Sequence, residues 1–381
     1  MDRLRINVSD VTVGKPLPWN VHDAAGNLLL NKGYIVESDG QLEALVARGM
    51  FTDADNLRRG QNSEGPKKEK PSTLRLINLA NKRLERLLIS MLKKDTVQPD
   101  SPANILEIAQ AILFATELNP DVALACILLN QVAGNYPVRH CIDTAIISIL
   151  IARAMNKSRE ETLQIIAAAL TMNVGMLSHH QRLQSKQEGL TENEKKIIHQ
   201  HPQISVAILR HAGVTDENWL AYVLYHHENE DGSGYPFGKK DTEIPQNAKL
   251  ISLADRYSAR VSARDYRKSV LPNGALREIF MEGGKATDAI LAAYFVKELG
   301  IYPPGTFVRL VNEEIGVVTQ KGEGAATPIV HSLVGAQGMP LATAFRRDTS
   351  KTTYAIKEAL NEKQANVRFS MQQLWGEVAS L

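Results

Sequence analysis

The sequence predicts a mainly α protein with small β-containing parts at both ends. Apolar residues recur at three- and four-residue steps almost without interruption between positions 74 and 300, the spacing of amphipathic helices. Short alternating or β-branched segments lie before and after this stretch. We therefore expect four parts: a small α+β module at 1–60, a linker at 61–73, an all-helical domain at 74–300, and a C-terminal extension at 301–381 with a β-hairpin and short helices.

The composition is that of an ordinary globular protein. The 381 residues are 44% hydrophobic and 23% charged, and the net charge is +2, so no global field favours DNA or a membrane surface. Cys126 and Cys141 lie in apolar helical sequence and are expected to be reduced core thiols rather than a disulfide. We expect no secretory signal and no membrane span, since no apolar run reaches roughly 18 to 20 residues. A cytoplasmic location is therefore expected.

The N-terminal module contains the signal for one hairpin. Two short apolar segments between 21 and 36 flank Ala25-Gly26-Asn27, where a glycine suits the turn. A short helix is expected from Asp39 to Gly49. The polar stretch after it, with a lysine-rich run at 67–70, is interpreted as a solvated linker, with a phosphate-binding patch as the alternative.

The central domain is expected to be a bundle of helices joined by short loops. Thr191-Glu192-Asn193-Glu194 has the form of a capping box and predicts the start of the helix that carries His201. After residue 305 the pattern predicts a hairpin from 306–310 and 315–319, with 329–333 as a candidate further strand. The other expected helices lie near 76–91, 104–118, 121–132, 139–155, 159–170, 216–225, 245–263, 272–281 and 285–299, with short helices after 353.

Histidines are concentrated in the helical domain, where eight of the chain's ten lie between positions 140 and 227. A single histidine on a helix is usually an ordinary polar residue. The doublet His226-His227 is different, because an acid and a Gly-Tyr-Pro turn follow it. Asp255 lies in an apolar helix, where a buried carboxylate needs a cation or a hydrogen-bond partner. The candidate ligands of a divalent ion are His140, His201, His226, His227 and Asp255.

The loop Asp231-Gly232-Ser233-Gly234-Tyr235-Pro236 is a candidate ligand-binding turn. Its glycines allow positive φ and a close approach to a ligand, and Tyr235 offers a ring and a hydroxyl. A simple tight turn between two helices would use the same residues. Arg264, Arg267 and Lys268 follow the helix of Asp255, either as phosphate contacts or as a solvated helix end.

Between about His140 and Ala275 the chain resembles the HD-GYP family, bacterial phosphodiesterases of the HD superfamily that hydrolyse cyclic di-GMP. The N-terminal module resembles the accessory domain often placed before such domains. Tyr302 to Val308 together with Ile315 to Val318 resembles the short β extension that often follows them. The resemblance implies the helical-bundle fold of the HD superfamily. It is carried by His226-His227-Glu228, Asp231 to Pro236, Ile244-Pro245, Ala254-Asp255-Arg256-Tyr257, Arg264 and Tyr266-Arg267-Lys268.

This resemblance also implies a centre of two or three metal ions, usually iron or manganese. The five candidate ligands match the family's ligand positions one by one. Tyr235, Arg267 and Lys268 fall where the family contacts substrate or shapes its pocket, and we expect Asp231, Gly234, Pro236 and Arg264 to act with them. The loop is also implicated in family contacts with diguanylate cyclase domains, so a protein with such a domain is an expected partner.

One motif departs from the family pattern Leu-Leu-His-Asp-Ile-Gly-Lys. Met172, Asn173 and Met176 stand at the positions of its histidine, aspartate and lysine, and Tyr136 stands where three-metal members have a carboxylate. A neutral amide cannot bridge two ions as a carboxylate does, and a thioether is a poor ligand for a hard ion. We expect at most one metal site, built from His201, His226 and His227 with Asp255 near, that holds one divalent ion (Fe, Mn or similar) or none. We interpret His179-His180 as exposed loop histidines, with substitution for the missing ligand as the alternative.

Two functional hypotheses follow. The first is a catalytically impaired HD-GYP protein of cyclic di-GMP signalling that acts as a ligand- or protein-binding regulatory module. The alternative is an active metal-dependent cyclic di-GMP phosphodiesterase with a mononuclear centre, in which one ion activates water. In both, the expected ligand is cyclic di-GMP or a related phosphodiester nucleotide. A purely structural domain with vestigial histidines is a third interpretation.

Overall fold

The structure is a computed structural model in which the chain divides into two compact units, residues 1–70 and 71–381. The second unit is mostly helical, which confirms the mainly α class. The residues described are 3–5, 11, 13–17, 19–36, 38, 40–42, 51–53, 70–93, 100–179, 189–262, 270–282 and 288–381.

The first unit contains a small antiparallel sheet with strand order β1-β4-β2-β3. The predicted hairpin is confirmed: β2 pairs with β3, and Gly26 in the turn has φ +96°. Most of the predicted helix 39–49 and of the linker 61–73 lies outside the described residues. The strands are β1 (Arg3–Arg5), β2 (Val21–His22), β3 (Leu28–Leu30) and β4 (Phe51–Asp53).

The helices of the second unit form one bundle around a continuous apolar core. The capping box predicted at Thr191 is confirmed, because the Thr191 hydroxyl accepts the Glu194 N–H and the Glu194 carboxylate accepts the Thr191 N–H. The helices are α1 (Thr73–Met91), α2 (Ser101–Leu118), α3 (Pro120–Leu128), α4 (Tyr136–Ala154), α5 (Arg159–Thr171), α6 (Glu192–His211), α7 (Glu217–Tyr225), α8 (Gln246–Val261), α9 (Pro272–Glu282) and α10 (Ala289–Leu299).

Helix α4 is the central helix of this bundle. It is apolar on nearly every side, so it is buried against several neighbours, including α5 and α8. It carries Cys141, which like Cys126 is buried and free, as predicted. Burial raises the pKa of the Cys141 thiol to about 12. The N-terminal half of α4 also carries His140 and Asp143, which contact α8 and the residue after it.

The C-terminal part is a five-stranded antiparallel sheet with strand order β8-β7-β6-β5-β9, larger than the predicted hairpin. The β5–β6 hairpin and the strand at 329–333 are confirmed, whereas the expectation of only helices after 353 is wrong for β9. Met371 belongs to the bundle core. The elements are β5 (Phe307–Leu310), β6 (Ile315–Gln320), β7 (Ile329–Val334), β8 (Pro340–Asp348), β9 (Ile356–Leu360), α11 (Glu362–Ala365) and α12 (Met371–Trp375).

No single helix in the described residues has both the length and the hydropathy of a membrane span. Helices α2 and α3 meet the length and hydropathy criteria only when taken together, and the two helices are bent by 106° relative to each other.

Asp143 is a buried carboxylate that should make stability depend on pH. Burial raises its pKa to about 6, against opposing effects of Arg139 and of the Ser262 hydroxyl, which donates to Oδ2 at 2.9 Å. The unfolded state therefore loses its proton at lower pH than the folded state, so this group destabilises the fold increasingly as pH rises from about 4 to 6. We expect the free energy of unfolding of Asp143→Asn, relative to that of wild type, to be about 1 kcal/mol higher at pH 7.5 than at pH 5.

Urea unfolding at the two pH values measures this difference. Asp100→Asn, at an exposed aspartate, is the matched control and should show no such gain. If the free energies of unfolding of Asp143→Asn and wild type differed by the same amount at both pH values, the Asp143 carboxyl would have the same pKa in the folded and unfolded states.

Candidate metal centre

Three imidazoles meet where α6 and the end of α7 approach each other. His201, His226 and His227 place ligand nitrogens within 4.8 Å of one another. The first two side chains are fully buried and the third is partly exposed. The Nε2 atoms of His201 and His226 are 3.3 Å apart. Two nitrogens at this distance can both bind one ion at about 2.1 Å, with an angle of about 100° at the ion.

The local backbone orients two of these rings. A proline inside a helix leaves the carbonyl four residues earlier without its amide donor, and Pro202 does this to Ile198. The His201 Nδ1–H donates to that carbonyl at 2.6 Å. His226 follows the last residue of α7, and its Nδ1–H donates at 2.7 Å to the Val223 carbonyl, one of those a helix end leaves unpaired. Both Nε2 atoms therefore carry lone pairs that face each other, an arrangement suited to a cation.

Burial favours the neutral form of His226 and His227, which is the form that binds metal. Burial lowers the pKa of His226. Burial and the neighbouring imidazoles of His226 and His201 lower the pKa of His227 well below its ordinary value. The negative charge of Asp255 opposes this effect at both residues. Three convergent neutral nitrogens fit one divalent ion of the Fe, Mn or Zn type.

The other two predicted ligands form a pair with each other. The His140 Nε2–H donates to Asp255 Oδ1 at 2.6 Å, and both side chains are buried. Ser258 Oγ lies 3.2 Å from the remaining ring nitrogen of His140. Burial raises the pKa of Asp255, but the hydrogen bond and charge of His140 outweigh it and hold that pKa well below its usual range. The predicted five-ligand set is therefore divided into three convergent imidazoles and a hydrogen-bonded His140–Asp255 pair.

The segment after α5 adds apolar and neutral groups rather than charged ligands. Met172 is fully buried in the bundle core, and Met176 is 9% exposed. Asn173 is 2% exposed, and its Oδ1 has no hydrogen-bond partner in the described part of the chain. An amide oxygen is neutral and cannot replace a bridging carboxylate. The donors therefore fit a single ion and do not fit a carboxylate-bridged pair of ions.

Gly175 packs this segment against α6 beside His201. A β-carbon at Gly175 would lie 2.6 Å from the His201 carbonyl oxygen and 2.6 Å from the Ser205 amide nitrogen. The Gly175 N–H donates to the Ser205 hydroxyl at 2.9 Å, and that hydroxyl donates to the Met172 carbonyl at 2.8 Å. These contacts fix the position of the His201 helix.

We therefore expect Gly175→Ala to push α6 away and disturb the position of His201. The collision involves backbone atoms, so relief requires a helix shift, which should cost about 1–3 kcal/mol of stability. The Mn(II) affinity should fall with it. Urea unfolding and Mn(II) titration measure both effects. Gly189→Ala is the control, since a β-carbon there meets nothing within 4 Å. A Gly175→Ala protein as stable as this control would contradict the packing described.

Glu228 organises the loop that follows the paired histidines. Its side chain is 2% exposed, and its two oxygens accept the Phe237 N–H at 2.7 Å and the Lys239 N–H at 2.9 Å. Both carboxylate oxygens are thus used inside the loop. Position 234 requires glycine, because the loop passes close to its own backbone there. A β-carbon would collide with the His227 carbonyl oxygen and lie 2.5 Å from the Asn229 nitrogen.

The loop residues predicted to bind substrate have different surroundings. Asp231 is exposed, and its Oδ1 accepts the Ser233 N–H at 2.9 Å. The Tyr235 N–H donates to the His227 carbonyl at 3.1 Å, and a cis peptide bond joins Tyr235 to Pro236. Burial and the charge of Asp255 raise the pKa of Tyr235, so its hydroxyl stays protonated. Arg264, Arg267, Lys268 and His180 lie outside the described residues.

Sequence reasoning assigns no role to Glu228 or His199, although both contact the site. The Tyr235 ring stacks on His227 and on His199, which lies two residues before His201 on α6. The signal for Glu228 is present in the sequence as a carboxylate next to the paired histidines. No comparable signal marks His199, because an exposed histidine on a charged helix is ordinary.

Comparisons with known proteins identify an HD domain in the helical unit. Residues 126–291 match the family model of the HD domain. Cyclic di-GMP phosphodiesterase PA4108 of Pseudomonas aeruginosa is 27% identical over 250 residues, which cover 65% of this chain and 60% of that protein. PdeB of Borreliella burgdorferi is 27% identical over 193 residues, 51% of each chain. A cyclic di-GMP phosphodiesterase of Thermotoga maritima is 33% identical over 160 residues, 42% of this chain and 44% of that one.

The match thus spans 60% or less of the length of each of these relatives. A solved structure with a similar fold is Bd1817, an HD-GYP protein from Bdellovibrio bacteriovorus, with a TM-score of 0.50, covering 77% of this chain and 98% of that one. Its sequence identity of 15% shows a shared fold only. Residues 126–291 of the chain therefore form an HD domain, and the chain is similar in sequence to curated cyclic di-GMP phosphodiesterases.

Proposed function

We propose that this chain is a catalytically impaired HD-GYP protein. It binds cyclic di-GMP or a related phosphodiester nucleotide beside a single divalent ion and acts as a regulatory module in cyclic di-GMP signalling. One observation carries the proposal: three imidazoles converge, while Asn173 and buried Met172 occupy the positions where the family has its aspartate and histidine. The curated relatives are named cyclic di-GMP phosphodiesterases, which supports the ligand class.

Impaired hydrolysis follows from the donor set. In two-metal sites, ions about 3.5–4 Å apart stabilise both the attacking and the leaving oxygen of a phosphodiester. This requires an anionic bridge between the ions, and Asn173 is neutral. Asp255, whose negative charge acts on His226 and His227, has Oδ1 committed to His140 at 2.6 Å. A single bound ion would supply charge for the phosphate oxygens without this double stabilisation.

The chain's own groups would bind and orient the nucleotide. The protonated Tyr235 hydroxyl can donate to a phosphate oxygen. Arg264, Arg267 and Lys268 are proposed phosphate contacts that follow α8. Phe237, 54% exposed in the same loop, is a suitable apolar contact for a protein partner of the diguanylate cyclase domain type.

A second candidate is an active cyclic di-GMP phosphodiesterase with a mononuclear centre. The same three imidazoles favour it, because neutral nitrogen ligands that leave coordination positions open can hold an ion that lowers the pKa of bound water toward 7. The two candidates share the ligand and differ in whether it is cleaved.

Calorimetric titration of the Mn(II)-loaded chain with cyclic di-GMP, followed by chromatography of the nucleotide, separates them. The proposal predicts saturable binding of intact nucleotide. Release of pGpG or GMP that His226→Ala abolishes would favour the phosphodiesterase instead. A chain that neither binds nor cleaves the nucleotide would contradict both candidates.

A further inference from the structure

The third imidazole of the cluster is oriented differently from the other two. His201 and His226 each donate from Nδ1 to a backbone carbonyl. The His227 imidazole makes no hydrogen bond in the described part of the chain. Its ring instead stacks on Tyr235, with centroids 4.6 Å apart and planes inclined by 30°. We propose that Tyr235 is a positioning residue for the metal ligand His227, and that His199 holds Tyr235 in this role.

The Tyr235 ring lies between two imidazoles. His199 stacks on it with centroids 4.5 Å apart and planes inclined by 18°. Two imidazoles this close to one phenol face would also touch each other. No ring contact joins His199 to His227 among the described residues, so the two imidazoles cover opposite faces of the phenol.

This stack changes what Tyr235 can do for a ligand. With both faces covered, the ring is not a platform on which a nucleobase stacks, because base stacking needs an open aromatic face. Only the ring edge and the hydroxyl remain for contact with substrate. The predicted contact of Tyr235 with substrate is therefore limited to the hydroxyl and the ring edge and excludes stacking on a base.

The backbone around the stack supports a positioning role. The Tyr235 N–H donates to the His227 carbonyl at 3.1 Å, so the loop is tied directly to the residue it orients. The Glu228 carboxylate accepts hydrogen bonds from the Phe237 and Lys239 amides and so holds the part of the loop after Tyr235. Helix α6 contributes both His199 and the ligand His201, so one rigid element fixes the outer ring of the stack and one corner of the metal site.

The inference rests on the metal site of the proposed function but not on nucleotide binding, so Mn(II) alone is the probe. Loss of an outer partner of a metal ligand typically weakens metal binding 10- to 100-fold. We expect Tyr235→Leu and His199→Ala to raise the Mn(II) dissociation constant about 10-fold. Tyr235→Phe and His199→Phe keep a flat ring in the stack and should bind Mn(II) as wild type does. Visible absorption of the Co(II)-loaded proteins should change only in the two weakened variants.

Gln200→Ala, at the exposed position between His199 and His201, is the control and should bind as wild type. Thermal unfolding without metal checks that each variant is folded. Unchanged Mn(II) affinity in a folded His199→Ala protein would overturn the inference. A His199→Phe protein that binds Mn(II) as weakly as His199→Ala would also overturn it, because the ring nitrogens of His199, and not its stacking on Tyr235, would then be responsible. A wild-type chain that binds no Mn(II) would overturn this inference and the metal part of the proposed function together. Failure of cyclic di-GMP to bind would leave this inference intact.

Discussion

Replacing His226 by alanine is expected to abolish specific binding of a divalent ion. The His226 Nε2 lies 3.3 Å from the His201 Nε2 and completes the three-imidazole cluster. Its removal leaves two nitrogens, of which only that of His201 is oriented by a backbone hydrogen bond. We expect Mn(II) affinity to fall by more than about 100-fold, the upper end of the loss seen for outer partners alone. Electron paramagnetic resonance of free Mn(II) during a titration measures it.

His211→Ala provides the matched control, because His211 is an exposed histidine at the end of α6, the helix that carries His201, and lies away from the cluster. It should bind Mn(II) as wild type does. If His226→Ala retained wild-type affinity, the ion would have to lie at another site, with the His140–Asp255 pair as the first alternative.

Restoring three residues together should convert the site to a two-metal centre. The variant Met172→His, Asn173→Asp and Met176→Lys supplies the missing ligand, the anionic bridge and the family's lysine. Position 173 is 2% exposed, so an aspartate there is costly without a cation. We therefore expect the variant to be less stable than wild type without metal and to recover on addition of Mn(II), with cyclic di-GMP turnover appearing in parallel.

Asn173→Asp alone is the control for this variant. It adds the charge without the histidine and lysine, so it should show metal-dependent stability with little or no turnover. A triple variant that folds and binds two ions but cleaves no cyclic di-GMP would show that the loss of activity involves more than this motif.

The sequence was sufficient to predict the parts of the fold with strong local signals. The helical spacing, the capping box at Thr191 and the hairpin around Gly26 all recur in the structure. Strand β9 was not predictable in this way. Its sequence Ile356-Lys357-Glu358-Ala359-Leu360 is rich in helix-forming residues, but pairing with β5 overrides that local preference. Strand β8 is mostly exposed, so it lacks the alternation that marks a strand.

For the site, the residue types and a site built from His201, His226 and His227 were predicted from the sequence, whereas the pairing of His140 with Asp255 was not. All five candidate ligands lie near one another in the helical unit, but the division into a triad and a pair depends on a 2.6 Å contact between residues 115 positions apart. The orientation of His201 depends on a carbonyl that Pro202 leaves without a donor, a local effect that the His-Pro sequence does contain. The stack on Tyr235 depends on how the loop folds back on α6, which no local pattern encodes.

The number of metal ions bound per chain shows whether the three imidazoles form a single-ion site. Protein freed of metal, reloaded with excess Mn(II), desalted and measured by mass spectrometry should hold one ion per chain, lost in His226→Ala, and should release no product from cyclic di-GMP. Two ions per chain together with turnover would contradict a single-ion site, because the residues around Asn173 would then hold a second ion without an anionic bridge.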